Sequence, residues 1–451
     1  MTTDQGRVAI WPGEGPKPVM PYSPIVKAGG WVFLAGQLAT DFATGIAPEA
    51  RVNPESPYQG DALERQSRLV LGNLDTTLKA AGCDLSTDVV QAWQWFTSPR
   101  PAREDFERGD NWPAISITPY LRSRDEFIEQ PRPASIPGGV RRLMVTGAIV
   151  EVDLIAIERE PGVDSEGTAV PEGLAAPLDG SSPALRRGDW VFLSAEMATA
   201  WEAGGEGDAI ASEARVDPNL WYGSAIEKQT EATLQKLQRI AAAAGSSLDR
   251  CVKASVYIGH PRDFAGMDRV WREWFPHNPP ARVVVPYMGL GAAGARVQVA
   301  MTLLAGDSPL TKPTIETSDA PQPFGHEPQA VKAGDFLFFS TQMAFDSSGA
   351  LAQETRANPG FPFYVQPPKL QMRYILKNVN AICEAAGTTL ANICRRQVFH
   401  DDFTWFAQTM EEWHAHFPED APASTTVEVG GPLLVPGAHL MLDLIGYAPA
   451  S

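Results

Sequence analysis

The sequence contains no run of 18 or more apolar residues, so no membrane-spanning helix is expected. It is short of cations: 37 Lys and Arg stand against 54 Asp and Glu, a formal net charge of −17. A chain this acidic repels phosphate backbones, and no basic stripe interleaved with aromatics offsets that, so nucleic acid is not an expected partner. Only four cysteines occur (Cys83, Cys251, Cys383 and Cys394), with no CxxC pair. That excludes a disulfide framework and points to buried, reduced thiols and a cytoplasmic location. The opening stretch, Met1 to Gly15, lacks a basic segment followed by an apolar one, so no secretory signal is expected. No histidine precedes His260. His414 and His416 fall on opposite sides of a helix, and His326, His400 and His439 have no Cys or carboxylate at ligand spacing, so no metal site is expected. There is no Gly-rich phosphate loop after a strand and no Gly-x-Ser-x-Gly elbow, which removes the usual signs of nucleotide cofactors and serine nucleophiles. No cofactor is expected.

What the chain does have is apolar content of 44% over 451 residues, enough for about three domains. It also has internal repetition. A Gly turn followed by an aromatic and β-branched run occurs three times, at Lys27–Leu34, Arg187–Leu193 and Lys332–Phe339. Gln66, Gln229 and Gln371 each precede by 16 residues a glycine, Gly82, Gly245 or Gly387, that would cap a helix in the left-handed conformation. The segments between carry apolar residues at helical spacing: Val70, Leu74 and Leu78; Leu234, Leu237 and Ile240; Ile375, Val379 and Ile382. A tripeptide, Pro133-Ala-Ser135, Pro280-Ala-Arg282 or Pro422-Ala-Ser424, then precedes an apolar closing strand.

Each repeat reads β-β-α-β-α-β-β, an α+β fold. The expected boundaries are 16–160, 181–305 and 324–451, with Pro-, Ser- and Gly-rich linkers at 161–180 and 306–323. A polar, Pro-containing insertion at about 111–130 sets the first repeat apart, as a lid or as inert decoration.

The segment Tyr22–Gln37, the Pro-Ala-Arg at 280–282 and the strand Val150–Ile157 together resemble the Rid (YjgF) family. The resemblance implies a chorismate-mutase-like fold in which three units form a central barrel with helices outside. Here one chain would supply all three units, as a pseudo-trimer that is monomeric or a dimer of rings. It also implies a cofactor-independent hydrolase of enamines or imines, a deaminase, with its ligand clefts between adjacent units. Two other readings stay open: a hydrolase or isomerase of an aromatic or ring-opened catabolite, and a non-catalytic carboxylate-binding or scaffold protein.

By that resemblance the motif arginine grips a substrate carboxylate, the closing-strand glutamate handles protons and the opening tyrosine lines the cleft. The arginine position holds Ser135, Arg282 and Ser424 in the three repeats. The glutamate position holds Glu151, Gln298 and Met441, the tyrosine position Tyr22, Ser181 and roughly Glu327, and the turn glycine Gly36, Ala195 and Thr341. A guanidinium forks onto a carboxylate, and a nearby carboxyl group can move a proton. The expectation is one composite site between repeats 1 and 2, formed by Arg282, Glu151 and Tyr22 around a small carboxylate substrate.

Overall fold

The computed structural model describes residues 6–13, 20–98, 116–200, 209–217, 219–220 and 222–449. Each repeat opens with a hairpin: Ile25–Ala28 and Trp31–Leu34, then Ala184–Arg187 and Trp190–Glu196, then Ala330–Ala333 and Phe336–Phe339. A first helix follows (Ala62–Ala80, Ala225–Ala243, Pro367–Ala385) and then a middle strand (Val89–Thr97, Cys251–Ile258, Ile393–His400). Next come a second helix (Thr118–Asp125, Phe264–Trp274, Phe406–His416) and the strand carrying the tripeptide, called here the motif strand (Ala134–Val140, Ala281–Val285, Ala423–Glu428). The closing strands are Val150–Ile157, Val297–Leu304 and Leu440–Tyr447. The expected order holds in all three repeats.

In every sheet the motif strand lies parallel to the middle strand, and the closing strand sits between the middle strand and the hairpin. The first helices start and stop where their sequences say. Asp61 and Ser224 accept from the N–H three residues on, and the third helix instead begins at Pro367. Gly82, Gly245 and Gly387 end them at φ 79°, 71° and 76°. The three glutamines share one task. Gln66 donates to Gly147 O at 2.9 Å and accepts from Ile149 N at 2.9 Å; Gln229 clamps Gly294 and Arg296, and Gln371 clamps Gly437 and His439, in the same way. Each amide satisfies two backbone groups at the turn into the closing strand, and so ties helix to sheet.

The apolar helix stripes are fully buried against the outer faces of the sheets, one cluster per repeat. A fourth cluster is shared. Trp31, Trp190 and Phe336 meet from three repeats, with Trp31 4.9 Å from Trp190 and 4.6 Å from Phe336 between ring centroids. Both faces of each sheet are therefore covered, which is why the strands read as continuous apolar runs rather than alternating ones. Two ion pairs, Lys253–Asp443 at 2.5 Å and Arg395–Asp153, bridge repeats inside this core.

Two features add to the expected outline. Within the linkers, Glu166–Gly167 and Thr314–Ile315 each add a short strand to the hairpin they precede. Of the first-repeat insertion, residues 111–115 lie outside the described residues, and the remainder contains the helix Thr118–Asp125 that packs on the first helix.

Candidate functional site

The order of the repeats around the shared core decides which residues can meet. Each motif strand abuts the opening segment of the next repeat. Ser135 N–H donates to Ser194 Oγ at 3.0 Å, Thr341 N–H to Arg282 O at 3.0 Å, and Gly36 N–H to Ser424 O at 3.1 Å. The chain thus has three comparable seams: repeat 1 onto 2, 2 onto 3, and 3 onto 1.

The composite site of Arg282, Glu151 and Tyr22 is not formed. Arg282 lies on the seam between repeats 2 and 3, whereas Tyr22 and Glu151 lie on the seam between repeats 3 and 1. Pairing them would require the motif strand of repeat 2 to abut the opening of repeat 1, the reverse of the direction in which the repeats follow one another. The seam between repeats 1 and 2 holds Ser135, Ser194 and Gln298, whose amide donates to Pro137 O at 2.8 Å.

Arg282 is fully buried and fully engaged. Its Nε donates to Glu327 at 3.0 Å and its Nη2 also pairs with Glu327, while Nη2 reaches Asp268 at 2.5 Å. The guanidinium lies 4.9 Å from the Trp271 ring and Nη1 contacts Met267 Sδ at 3.4 Å. Burial pushes Glu327 up from the ordinary carboxylate range despite Arg282, and the same arginine helps hold Asp268 down against its own burial.

The seam between repeats 3 and 1 has a guanidinium that the motif did not announce. Arg396 sits on the middle strand, in parallel register with Ser424, and donates to Ser424 Oγ from Nε (3.0 Å) and Nη2 (2.8 Å). It lies 3.8 Å over the Trp413 ring, with Nη2 3.5 Å from Met410 Sδ. In repeat 2 the same register pair is Ala254 with Arg282, and in repeat 1 it is Ala92 with Ser135. Repeat 3 has therefore exchanged the two positions: small–large has become large–small, and the guanidinium still rests on the tryptophan of the second helix.

Arg396 differs from Arg282 in its counter-charge. The fifth residue of the second helix is Asp268 in repeat 2 and Met410 in repeat 3. The opening segment supplies Glu327 to Arg282, but places Pro21 and Tyr22 at the Arg396 seam, where Trp413 Nε1 donates to Pro21 O at 3.2 Å. Among the described residues Arg396 has no ion-pair partner and its Nη1 has no hydrogen bond. Burial alone pulls it down to about 9, so it stays charged at neutral pH. Nearby Arg141 and Arg142 are matched by the buried Glu428.

Glu151 approaches this seam from repeat 1. Its side chain is buried, Oε2 has no hydrogen-bond partner, and burial, with Asp153 adding to it, pushes the carboxyl well above the usual range. A Cβ on Gly36 would stand 2.1 Å from Glu151 Oε1 and 3.0 Å from Thr425 Oγ1. The glycine and the glutamate thus depend on each other: only a residue without a side chain leaves room for that carboxyl group. Repeats 2 and 3 have lost both, with Ala195 and Gln298, and Thr341 and Met441. Tyr22 is half-buried, and its hydroxyl is raised by burial and then by Glu151. No group of three His, Cys, Asp or Glu among the described residues is placed to hold a metal ion.

Three tandem α+β units, each with its motif strand set against its neighbour's opening segment, define the class. The sequence matches the family model described as endoribonuclease L-PSP at residues 13–158, 176–304 and 317–440. The chain belongs to this family, the Rid family that its motifs resemble, and carries the domain three times. A RutC family protein of Pyrococcus horikoshii is 35% identical over 119 residues, 26% of this chain and 85% of its own length. The 2-iminobutanoate/2-iminopropanoate deaminase of Salmonella typhimurium is 34% identical over 120 residues, 26% of this chain and 84% of its own. The crystal structure of RidA from a Psychrobacter species is 32% identical, covering 30% of this chain and 98% of that one, with a TM-score of 0.25.

Proposed function

We propose that the chain is a cofactor-independent hydrolase of small carboxylate-bearing imines or enamines, working at one cleft, between repeats 3 and 1. The observation that carries this reading is the unmatched guanidinium of Arg396 on the same seam as the buried Glu151, whose carboxyl burial pushes toward its neutral form. The seam between repeats 2 and 3 is the internal comparison. There, an arginine in the same position has two carboxylates. At the Arg396 seam that anion is missing, and a ligand carboxylate would supply it. Guanidinium and carboxylate match as a planar fork, and the buried setting strengthens the pair.

The chemistry follows from the direction of that shift. Glu151, pushed by burial toward its neutral form, would donate its proton to the imine nitrogen while water adds to the imine carbon. The carboxylate so formed takes back a proton from the added water. The carbinolamine then collapses to a 2-oxo acid and ammonia, so imine plus water gives ketone plus ammonia, with Glu151 returned to its starting state. Tyr22 forms a wall of the cleft.

The wider reading is a pseudo-threefold barrel in a single chain, supported by the aromatic cluster that three repeats share. It would be monomeric or a dimer of such rings. No helix among the described residues is long and apolar enough to cross a membrane. Four free, buried thiols support a reducing, cytoplasmic setting, and a net charge of −17 argues against a polynucleotide substrate.

The test is ammonia release from a panel of 2-aminoacrylate-type and aminomuconate-type substrates. Wild-type protein is expected to release ammonia from at least one, and Glu151→Gln to lower kcat by ~100-fold while leaving ligand affinity largely intact. Tight carboxylate binding with no turnover across the panel would replace the enzyme reading with a binding one.

A further inference from the structure

The seam between repeats 2 and 3 is more than a cleft that lost its catalytic groups. We propose that it is a carboxylate-binding site already occupied by the chain's own Glu327, and that removing this side chain turns it into a site for a free acetate-sized monocarboxylate. The inference does not depend on the hydrolase reading.

The geometry is that of a ligand in a built site. Arg282 is 0% exposed, and its Nε–Nη2 edge faces Glu327, whose side chain is 4% exposed. The rest of the guanidinium is held from elsewhere: Asp268 takes Nη2, Met267 Sδ contacts Nη1, and the Trp271 and Phe264 rings flank it at 4.9 and 5.8 Å. Four of these holding groups come from the second helix of repeat 2, so the cradle stays when Glu327 goes. The segment that delivers Glu327 is wrapped close. A Cβ on Gly325 would lie 2.6 Å from both Arg282 Nη2 and Glu327 Oε2, so glycine is needed for this approach. His326 N–H donates to Asp268 Oδ1 at 2.9 Å, and the ring of Phe324 packs on Phe264 and Phe345. These contacts fix the backbone before Glu327, and Ser340 Oγ, donating to Pro328 O at 2.6 Å, fixes it after, both independently of the Glu327 carboxylate.

Truncating glutamate to alanine deletes one CH₂ and one carboxylate. The vacated volume and charge are those of acetate itself. In the truncated protein the open fork edge of Arg282 faces that volume.

The experiment uses the full chain and acetate as probe. Glu327→Ala should melt lower than wild type, and acetate should raise its Tm in a saturable way that chloride at equal ionic strength does not reproduce. By calorimetry or equilibrium dialysis, Glu327→Ala should bind one acetate per chain more than wild type, whatever number wild type itself shows. Adding Arg282→Met should abolish that extra site and the acetate-dependent Tm. Propionate and butyrate should bind progressively less well, because the volume is fixed by one CH₂. If Glu327→Ala is insoluble without acetate, recovery of folded protein in acetate supports the proposal. Failure to recover in acetate overturns it, as does a soluble variant with no extra site, or an extra site that survives Arg282→Met.

Discussion

The seams built around Arg282 and Arg396 are two versions of one design, and their difference separates structure from function. Each has a buried guanidinium stacked on the tryptophan of the second helix and contacting a methionine sulfur. Around Arg282 the chain supplies Glu327 and Asp268; around Arg396 it supplies Ser424 and Met410 and, among the described residues, no carboxylate. A buried charge without a partner is unfavourable for folding, and a chain retains one where something outside the chain completes it. The matched arginine belongs to the architecture. The unmatched one, on the same seam as the Gly36–Glu151 pair that repeats 2 and 3 lack, is the one the proposed function assigns to a ligand.

The sharpest break of this comparison is to delete each arginine in turn. Arg282→Ala leaves Glu327 buried without its cation and Asp268 with Arg272 alone, and should cost about 3–5 kcal/mol of stability with little change in ligand affinity. Arg396→Ala should do the opposite. It removes a buried fork that a ligand carboxylate would engage, a loss of about 2–5 kcal/mol in binding, or roughly 30-fold or more in Kd. Its stability should hold or rise. Arg396→Lys should restore only part of the affinity, because an ammonium has no fork. Denaturant melts and carboxylate titrations on the two alanine variants read both axes; parallel behaviour would collapse the distinction.

A gentler change converts one seam toward the other. Met410→Asp places a carboxylate where repeat 2 has Asp268, one contact from the Arg396 guanidinium. The new internal anion competes with the ligand, so carboxylate affinity should fall by about tenfold or more, on the scale of one charge-assisted hydrogen bond. The ligand-facing residues are untouched. Met410→Leu, which adds no charge, should keep wild-type affinity.

The repeat architecture was legible because it is written in periodicity and punctuation. Gln66, Gln229 and Gln371 mark one clamp, and Gly82, Gly245 and Gly387 one cap, so the order of elements could be read directly. The complementary losses at the four motif positions were also visible, and Glu151 does lie against Gly36 and within electrostatic reach of Tyr22. The direction in which repeats follow one another was not visible, since no local pattern records which neighbour a motif strand meets. The motif alone therefore points Arg282 to the seam with repeat 1, whereas packing puts it against repeat 3. Arg396 lies outside the tripeptide, on the strand beside it. A signal existed: the middle strands carry Ala92 and Ala254 at that register, and an arginine there on a strand buried on both faces calls for a partner or a ligand. Tertiary packing conserved the guanidinium's place while moving the residue that supplies it.

The smallest expected effect concerns Glu151 and pH, and it separates a catalytic carboxyl group from a structural one. Burial first, then Asp153, raises the folded-state pKa of Glu151 well above its unfolded value. Between those two values the folded protein holds a proton that the unfolded chain has released. Stability therefore falls as pH rises through that window, and Glu151 costs nothing below the unfolded pKa. Glutamine carries no such burden. It also has a precedent at the matching position, where Gln298 donates its amide to Pro137 O. The corresponding carbonyl at the Arg396 seam is that of Thr426, two residues beyond Ser424 as Pro137 is two beyond Ser135. Glu151→Gln should therefore match wild type in Tm near pH 4 and exceed it by a margin that widens toward pH 8, while turnover falls. Other buried acids such as Glu196, Glu327 and Asp263 are present in both proteins and cancel in the difference. Thermal melts of the two proteins at pH 4, 5, 6, 7 and 8 measure that margin. A margin that stays flat would mean that Glu151 is not the group holding the proton. A Glu151→Gln protein less stable than wild type at every pH would make Glu151 a structural hydrogen-bonding residue instead.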